Sequence, residues 1–380
     1  MLAILVAVAA TDASGYSIIG PVLPHVQATT GASVTVLSLL AACFPLAMLG
    51  GLVLAGRLAH AGRTRSAILV GLVLLIIGTV AFALASSLWL LFAARSVMGF
   101  GSGCVWIGLT LRTLEYWPGH EYVQMSRIFA GYSVGSLVGP ALAALGGVRL
   151  PFLAYAVLLV ACVPVVLVLP EPAVRQELHR DRTVLRTSGF WFAALAILLA
   201  MIAFGTLDGV LPLHFATRLS QAQIGVAYTL TGLLVAAAAA AAGRVRPRAA
   251  LLVGGTGTVL GISLAGATGT VLAWALALVL VGLGAGGAET GATGVLLQAV
   301  PSERIVSAMV VWSQVGMLGY LIAPVLGGQV VAHFGFAWLG LVPLAAAAAV
   351  VVAAAAAHRS PERAARPGAP QPDGVGPRAG

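Results

Sequence analysis

The stretch GFGSGCVWIGLTLRTLEYWP, residues 99–118, returns 183 positions later as GLGAGGAETGATGVLLQAVP, residues 282–301. Gly99, Gly101, Gly103, Gly108, Thr110, Leu114 and Pro118 meet identical residues in the second copy. Further along, GSLVGP at 135–140 comes back as GYLIAP at 319–324, and VLP at 22–24 comes back at 210–212. Similarity that recurs in the same order means that one structural unit is used twice. Each copy lies within a long apolar run, so what is repeated is a set of helices.

The chain has 380 residues, of which 60% are hydrophobic and 8% charged. One soluble core could not hide that much apolar surface, which places the chain in a membrane. A helix crosses the hydrocarbon with about 20 mostly apolar residues. The sequence supplies twelve such segments, the first near 2–24, the fifth near 127–147 and the last near 335–357. The opening MLAILVAVAATDA has no basic lead, and its apolar run continues through Ile18 and Ile19, so it reads as the first span rather than a signal peptide. The chain begins inside that span, which leaves room for a start upstream of Met1.

There are no lysines, and the net charge of +9 is carried by arginine. With both termini in the cytoplasm, Arg149 and Arg218 fall outside, Arg95 falls within the membrane and the other seventeen arginines lie inside. That bias sets orientation in a plasma (inner) membrane and does not signal nucleic acid. The expected architecture is an all-α membrane protein of twelve transmembrane helices in two pseudo-symmetric six-helix bundles. Its parts are an N-terminal bundle over 1–170, a cytoplasmic linker over 171–187, a C-terminal bundle over 188–357 and a disordered cytoplasmic tail over 358–380. The expected partners are the lipid bilayer, protons and a small-molecule substrate, with the chain a monomer.

Cys43, Cys104 and Cys162 have no metal or disulfide spacing and read as packing residues. No cofactor or metal is expected. GYSVG at 131–135 satisfies the serine-nucleophile pattern but needs a base beside Ser133, and all seven histidines fall in loops or at helix ends, while GLGAGG at 282–287 satisfies a dinucleotide fingerprint with no strand before it. No ATP-binding loop appears, so the chain is not expected to be an enzyme, and an ion gradient is the remaining energy source.

Arg95 with Gly99, Gly101 and Gly103, then Gly135, Gly139 and Pro140, and the run from Asp12 to Pro24 are together similar to the major facilitator superfamily, and most of all to its drug:proton antiporter branch. Arg95 with Gly99, Gly101 and Gly103 resembles the R-x-x-x-G-x-G-x-G pattern of that family's fourth helix. Gly135, Gly139 and Pro140 resemble the antiporter motif G-x-x-x-G-P-x-x-G-G, with Ala143 and Ala144 in place of its last two glycines. Gly319, Pro324, Gly327 and Gly328 come nearer to its end in helix 11. The segment from Asp12 to Pro24 looks like the acidic first helix of such exporters. GRLAHAGRTR at 56–65 departs from the family's loop pattern by placing His60 where an aspartate belongs. The resemblance implies alternating access over a midplane site and a role for the helix 4 arginine in proton coupling.

An ionisable group at membrane depth costs about 2.5–3.5 kcal/mol and needs a partner or a wet cavity. Asp12 and Arg95 fall at nearly the same depth, so an ion pair between them is expected, with Asp12, Arg95 and Glu289 forming the proton-coupling set. The competing reading of Arg95 is that it satisfies backbone carbonyls. Glu289, which replaces Trp106 in the repeat, either faces the cavity or pairs with an inner-loop arginine. Asp208 reads as a helix-end or gate residue near the outer surface. Substrate-cavity candidates are Tyr16, Trp106, Thr110, Trp312, Ser313 and Gln314. The glycines let backbones approach closely, while Pro140 and Pro324 should bend helices 5 and 11. The function these residues suggest is proton-coupled efflux of a small amphipathic or hydrophobic molecule. Proton-coupled metabolite uptake, or a non-transporting membrane sensor or scaffold, are the alternatives.

Overall fold

A computed structural model describes residues 1–60, 63–117, 120–169, 188–300, 305–345 and 347–348. The linker 171–187, the tail 358–380, Pro118, Pro301 and the end of the last span lie outside the described residues. Among the described residues twelve helices follow in order. The first half holds α1 Leu2–Thr30, α2 Val34–His60, α3 Thr64–Ala83, α4 Leu88–Tyr116, α5 Glu121–Ala143 and α6 Arg149–Leu167. The second holds α7 Gly189–Phe215, α8 Gln221–Ala242, α9 Pro247–Ala267, α10 Val271–Ala299, α11 Ile305–Phe334 and α12 Phe336–Ala345.

Ten of these helices are long and apolar enough to cross a membrane. The exceptions are α5, which carries Glu121, Gln124, Arg127, Ser133 and Ser136, and α12, described only through its first turns. Bulky apolar side chains such as Val157, Leu252 and Leu272 stand on the outer surface, where lipid replaces water as solvent.

Several boundaries differ from the sequence reading, most of all at α1 and α5. α1 runs past Pro24 to Thr30 and stops at Gly31, whose φ of 67° ends it in a left-handed cap. α5 starts at Glu121 and ends at Ala143, three residues after Pro140, because Gly146 and Gly147 turn the chain with φ of 85° and 67°. α1 is interrupted at Ile18 and α7 at Val210, each ahead of a short second segment.

The repeat is visible in the packing. A methyl group added at Gly101 of α4 would stand 2.7 Å from the Gly71 carbonyl oxygen of α3, and one at Gly284 of α10 2.7 Å from that of Gly254 in α9. Gly103 lies against the Met48 carbonyl of α2 as Gly286 lies against the Val235 carbonyl of α8. Gly135 meets Ala10 of α1, and Gly319 meets Leu198 of α7. The same small residues therefore seat the same helix pairs twice, which makes two pseudo-symmetric six-helix bundles. One apolar core gathers residues of α1–α6 with Leu213, and three smaller ones gather residues of α7–α12.

Candidate functional site

The helices alternate in direction, so Met1 lies on one side of the bundle and the turns at 31–33, 84–87, 144–148, 216–220 and 268–270 on the far side. The halves are joined on that far side. The side chain of Gln221, at the start of α8, accepts from the Gly147 N–H at 2.9 Å and donates to the carbonyls of Gly147 and Ala143 at 2.8 and 3.1 Å. Gly225 of α8 packs on Pro140 of α5, Gly328 of α11 on Ser38 of α2, and Gly20 of α1 on Asp208 of α7.

Toward the Met1 side the halves part around a cavity of about 200 Å³. Its deepest residues include Tyr16, Pro140, Asp208, Tyr228 and Tyr320, and it reaches Thr110 and Met125. Met125 is only about 6 Å of helix rise from the start of α5. α1, α4, α7 and α10 all contribute to the wall, with Tyr16 and Ser17, Trp106 and Thr110, Phe204 and Asp208, and Glu289. All six substrate-cavity candidates, Tyr16, Trp106, Thr110, Trp312, Ser313 and Gln314, line it. Trp312 also has a structural bond, its indole N–H donating to the Ala193 carbonyl of α7 at 3.0 Å.

The expected ion pair between Asp12 and Arg95 is absent among the described residues. Arg95 is 1% exposed and donates to the carbonyls of Gly15 at 2.8 Å and Tyr16 at 3.3 Å, with its guanidinium 4.2 Å above the Phe44 ring. These carbonyls belong to the last turn before the break at Ile18, where the helix no longer supplies every donor. Asp12 instead accepts from the Ser102 hydroxyl at 3.0 Å. Ser102 is seven residues beyond Arg95, about 10 Å along α4. The antiparallel register of α1 and α4 sets Arg95 against residues 15 and 16 and leaves Asp12 to Ser102. Neither Asp12 nor Arg95 lines the cavity, and the second Asp12 oxygen, Oδ1, has no hydrogen-bond partner.

Glu289 does face the cavity, with no side-chain hydrogen bond among the described residues. Asp208 is deeper than the sequence reading put it: it lines the cavity roof, where its carboxylate accepts from the Tyr320 hydroxyl of α11 at 2.7 Å. Sequence reasoning missed Tyr320 and Tyr132. Tyr132 packs edge-on against Trp106 at 5.3 Å between ring centroids and lines the cavity. A cavity-facing tyrosine has no sequence signal that separates it from one packed in the interior.

Arg112 was counted among the inner-side arginines, but it is fully buried in α4. There it bonds the Thr64 hydroxyl at 3.0 Å and Glu115 at 3.3 Å and lies over the Tyr116 ring. Thr64, whose hydroxyl also donates to Glu115 at 2.8 Å, ties α3 to α4 at the start of α3. Ser133 lies inside α5 rather than on a strand-to-helix turn, so the hydrolase pattern has none of its required context. Among the described residues no group of histidine, cysteine or acidic side chains could hold a metal.

Two six-helix bundles around a shared, partly polar cavity that is closed at one end have the architecture of a secondary transporter. The sequence profile of the Major Facilitator Superfamily matches residues 5–245 and again 193–379, and the chain belongs to that family. Secondary transport is the activity that the family and fold support. No curated protein matches the sequence.

Among solved structures, a POT family transporter in complex with a thioalcohol-conjugated peptide aligns with a TM-score of 0.74 at 14% identity, over 92% of this chain and 95% of that one. A bacterial homolog of the human lysosomal transporter Spinster, inward-facing and unoccupied, aligns with a TM-score of 0.71 at 14% identity over 93% and 95%. The same homolog in its inward-facing, occupied form aligns at 0.68 and 15% over 93% and 94%. At such identities the likeness is one of fold.

Proposed function

We propose that this protein is a proton-coupled exporter of small amphipathic or hydrophobic molecules, of the drug:proton antiporter type. It sits in the plasma membrane with its Met1 side in the cytoplasm, and its two halves are residues 1–170 and 188–357. The observation that carries this reading is the cavity, walled by α1, α4, α7 and α10, sealed on the far side and holding Asp208 and Glu289. In this orientation the described state is open to the cytoplasm and ready to accept cargo from it.

Glu289 is the cavity carboxylate that substrate and proton share. Asp12 is a second proton acceptor behind the wall, with one oxygen still unbonded. Arg95 holds the interrupted first helix through its two carbonyls and so couples the position of α1 to that of α4. Protonation from the far side and cargo from the near side bind the two states unequally, which is what lets each drive the change.

The test is flux in proteoliposomes with an imposed pH gradient. Cargo moving against the proton flow, with Glu289→Gln and Asp12→Asn each losing the gradient-driven component, is the expected result. Cargo moving with the protons would replace export by uptake, and flux indifferent to the gradient would remove proton coupling.

A further inference from the structure

A second cavity, of about 480 Å³, lies on the far side and is built from the first half alone. The end of α1, the turn before α4 and the turn before α6 enclose it, with His25, Thr29, Ser86, Ser87, Gly147 and Arg149 among its lining. Among the described residues neither His25 nor Arg149 makes a side-chain hydrogen bond or ion pair. Arg149 stands against two general preferences. Among the described residues only it and Arg218 are arginines in or next to the far-side turns, on the side of the bundle where basic residues are scarce. It is also the first residue of α6, where the helix dipole disfavours a cation. None of the eleven acidic residues falls in the turns at 31–33, 84–87, 144–148, 216–220 or 268–270, and none lines this cavity. The guanidinium therefore faces a polar space with no counter-charge in its walls.

Hydroxyl donors complete the interior. Ser87 caps α4 by accepting from the Leu90 N–H at 3.3 Å, which leaves its own O–H to donate, and Ser86 stands beside it. The rim, by contrast, is apolar and continuous with the outer surface. Leu150 lines the cavity and is 56% exposed, while Leu84 and Leu145 in the adjoining turns are exposed as well. Trp89, in the first turn of α4, is 85% exposed, and an indole so placed marks the level of lipid headgroups.

We propose that this cavity binds the phosphate headgroup of an anionic phospholipid from the leaflet on the far side. Arg149 pairs with two phosphate oxygens through its forked N–H groups, and His25 and the serine hydroxyls donate to the phosphate from the other walls. The acyl chains lie on the apolar surface that begins at Leu150. A free phosphate would meet the same donors but leave that rim unused. The site requires only a membrane around the chain and stands whatever the direction or coupling of transport.

The test is photo-crosslinking of the purified full chain in detergent to a phosphatidylglycerol with a diazirine near the headgroup end of one acyl chain, with the labelled peptides mapped. Labelling within residues 84–91 and 145–153 is expected. Unlabelled phosphatidylglycerol should compete about fivefold or more tightly than phosphatidylcholine, and glycerol 1-phosphate should not compete at the same concentrations. Arg149→Gln should weaken labelling at these segments by about fivefold, and Arg149→Lys by less, because the charge stays while the forked contact goes. His25→Leu is a second variant and should weaken it by about twofold or more. Arg218→Gln, which changes a far-side arginine outside the cavity, should leave it within about twofold. Labelling untouched by Arg149→Gln and His25→Leu overturns the site. An equal loss in Arg218→Gln reduces it to general attraction between lipid and charge, and competition by glycerol 1-phosphate as strong as by the lipid makes the occupant a free phosphate and overturns the lipid assignment.

Discussion

Tyr16 of α1 and Tyr320 of α11 meet across the two halves with ring centroids 4.3 Å apart and planes tilted by 39°, over the deepest part of the cavity. Tyr320 also donates to Asp208, Tyr16 packs edge-on against Phe44, and Phe44 lies beneath Arg95. A continuous run of contacts thus links the acidic roof in one half to the buried guanidinium in the other. The pair forms part of the seal that any opening to the far side has to break.

Removing the Tyr320 hydroxyl tests the polar end of this run. Tyr320→Phe keeps the ring against Tyr16 and takes away one hydrogen bond to a carboxylate, about 1.5–3 kcal/mol. The expected result is a lower unfolding temperature in detergent, while Tyr320→Ala loses more because the ring contact with Tyr16 goes too. Equal losses in the two variants would show that the ring contact contributes nothing.

Arg95 should be far less replaceable than its distance from the cavity suggests. Arg95→Ala strands two carbonyls in the dry interior at about 1–3 kcal/mol each and removes the cation above Phe44. A steep drop in folded yield and thermal stability is expected, with Arg95→Lys intermediate because one ammonium can still reach a carbonyl. Normal stability of Arg95→Ala would contradict the geometry described.

The paired glycines predict paired damage. Gly103→Ala places a methyl against the Met48 carbonyl, and Gly286→Ala places one against the Val235 carbonyl. Each should cost about 1–3 kcal/mol through helix displacement, read as a fall in monodisperse protein on size-exclusion chromatography. A large loss from one and none from the other would break the structural equivalence of the halves.

Gln221 makes three hydrogen bonds from the start of α8 to the end of α5. Gln221→Ala should weaken the far-side closure and shift the population toward the state open on that side. Labels at Ser86 and Gly269, both exposed on far-side turns, allow the change to be followed by spin-label distances. A larger long-distance fraction in the variant is expected. An unchanged distribution would mean that the seal does not depend on this residue.

The sequence carried much of the architecture because membrane helices must satisfy their own backbone and present about 20 apolar residues. The repeat of Gly101 and Gly103 as Gly284 and Gly286 marked places where backbones can approach closely, since only small residues allow it, while the partner helices are read from the structure. All six residues named as cavity candidates line the cavity. The site's polar wiring was not legible in the same way. Equal depth suggested that Asp12 and Arg95 meet, but depth counts rise along one axis and carries no information on register between neighbours. Asp208 looked like a helix end, yet the short second segment of α7, Leu211–Phe215, continues the span beyond it and leaves it inside.

The linear chain by itself determined a membrane protein of twelve helices built from one unit used twice, because hydrophobic length and residue size are local properties. Only the tertiary structure decided that Arg95 serves the carbonyls of Gly15 and Tyr16, that Asp12 turns to Ser102, and that Asp208 and Glu289 share a cavity closed at one end. Those outcomes depend on how far each helix slides and turns against its neighbours. Many residue contacts set that jointly, and no single segment encodes it.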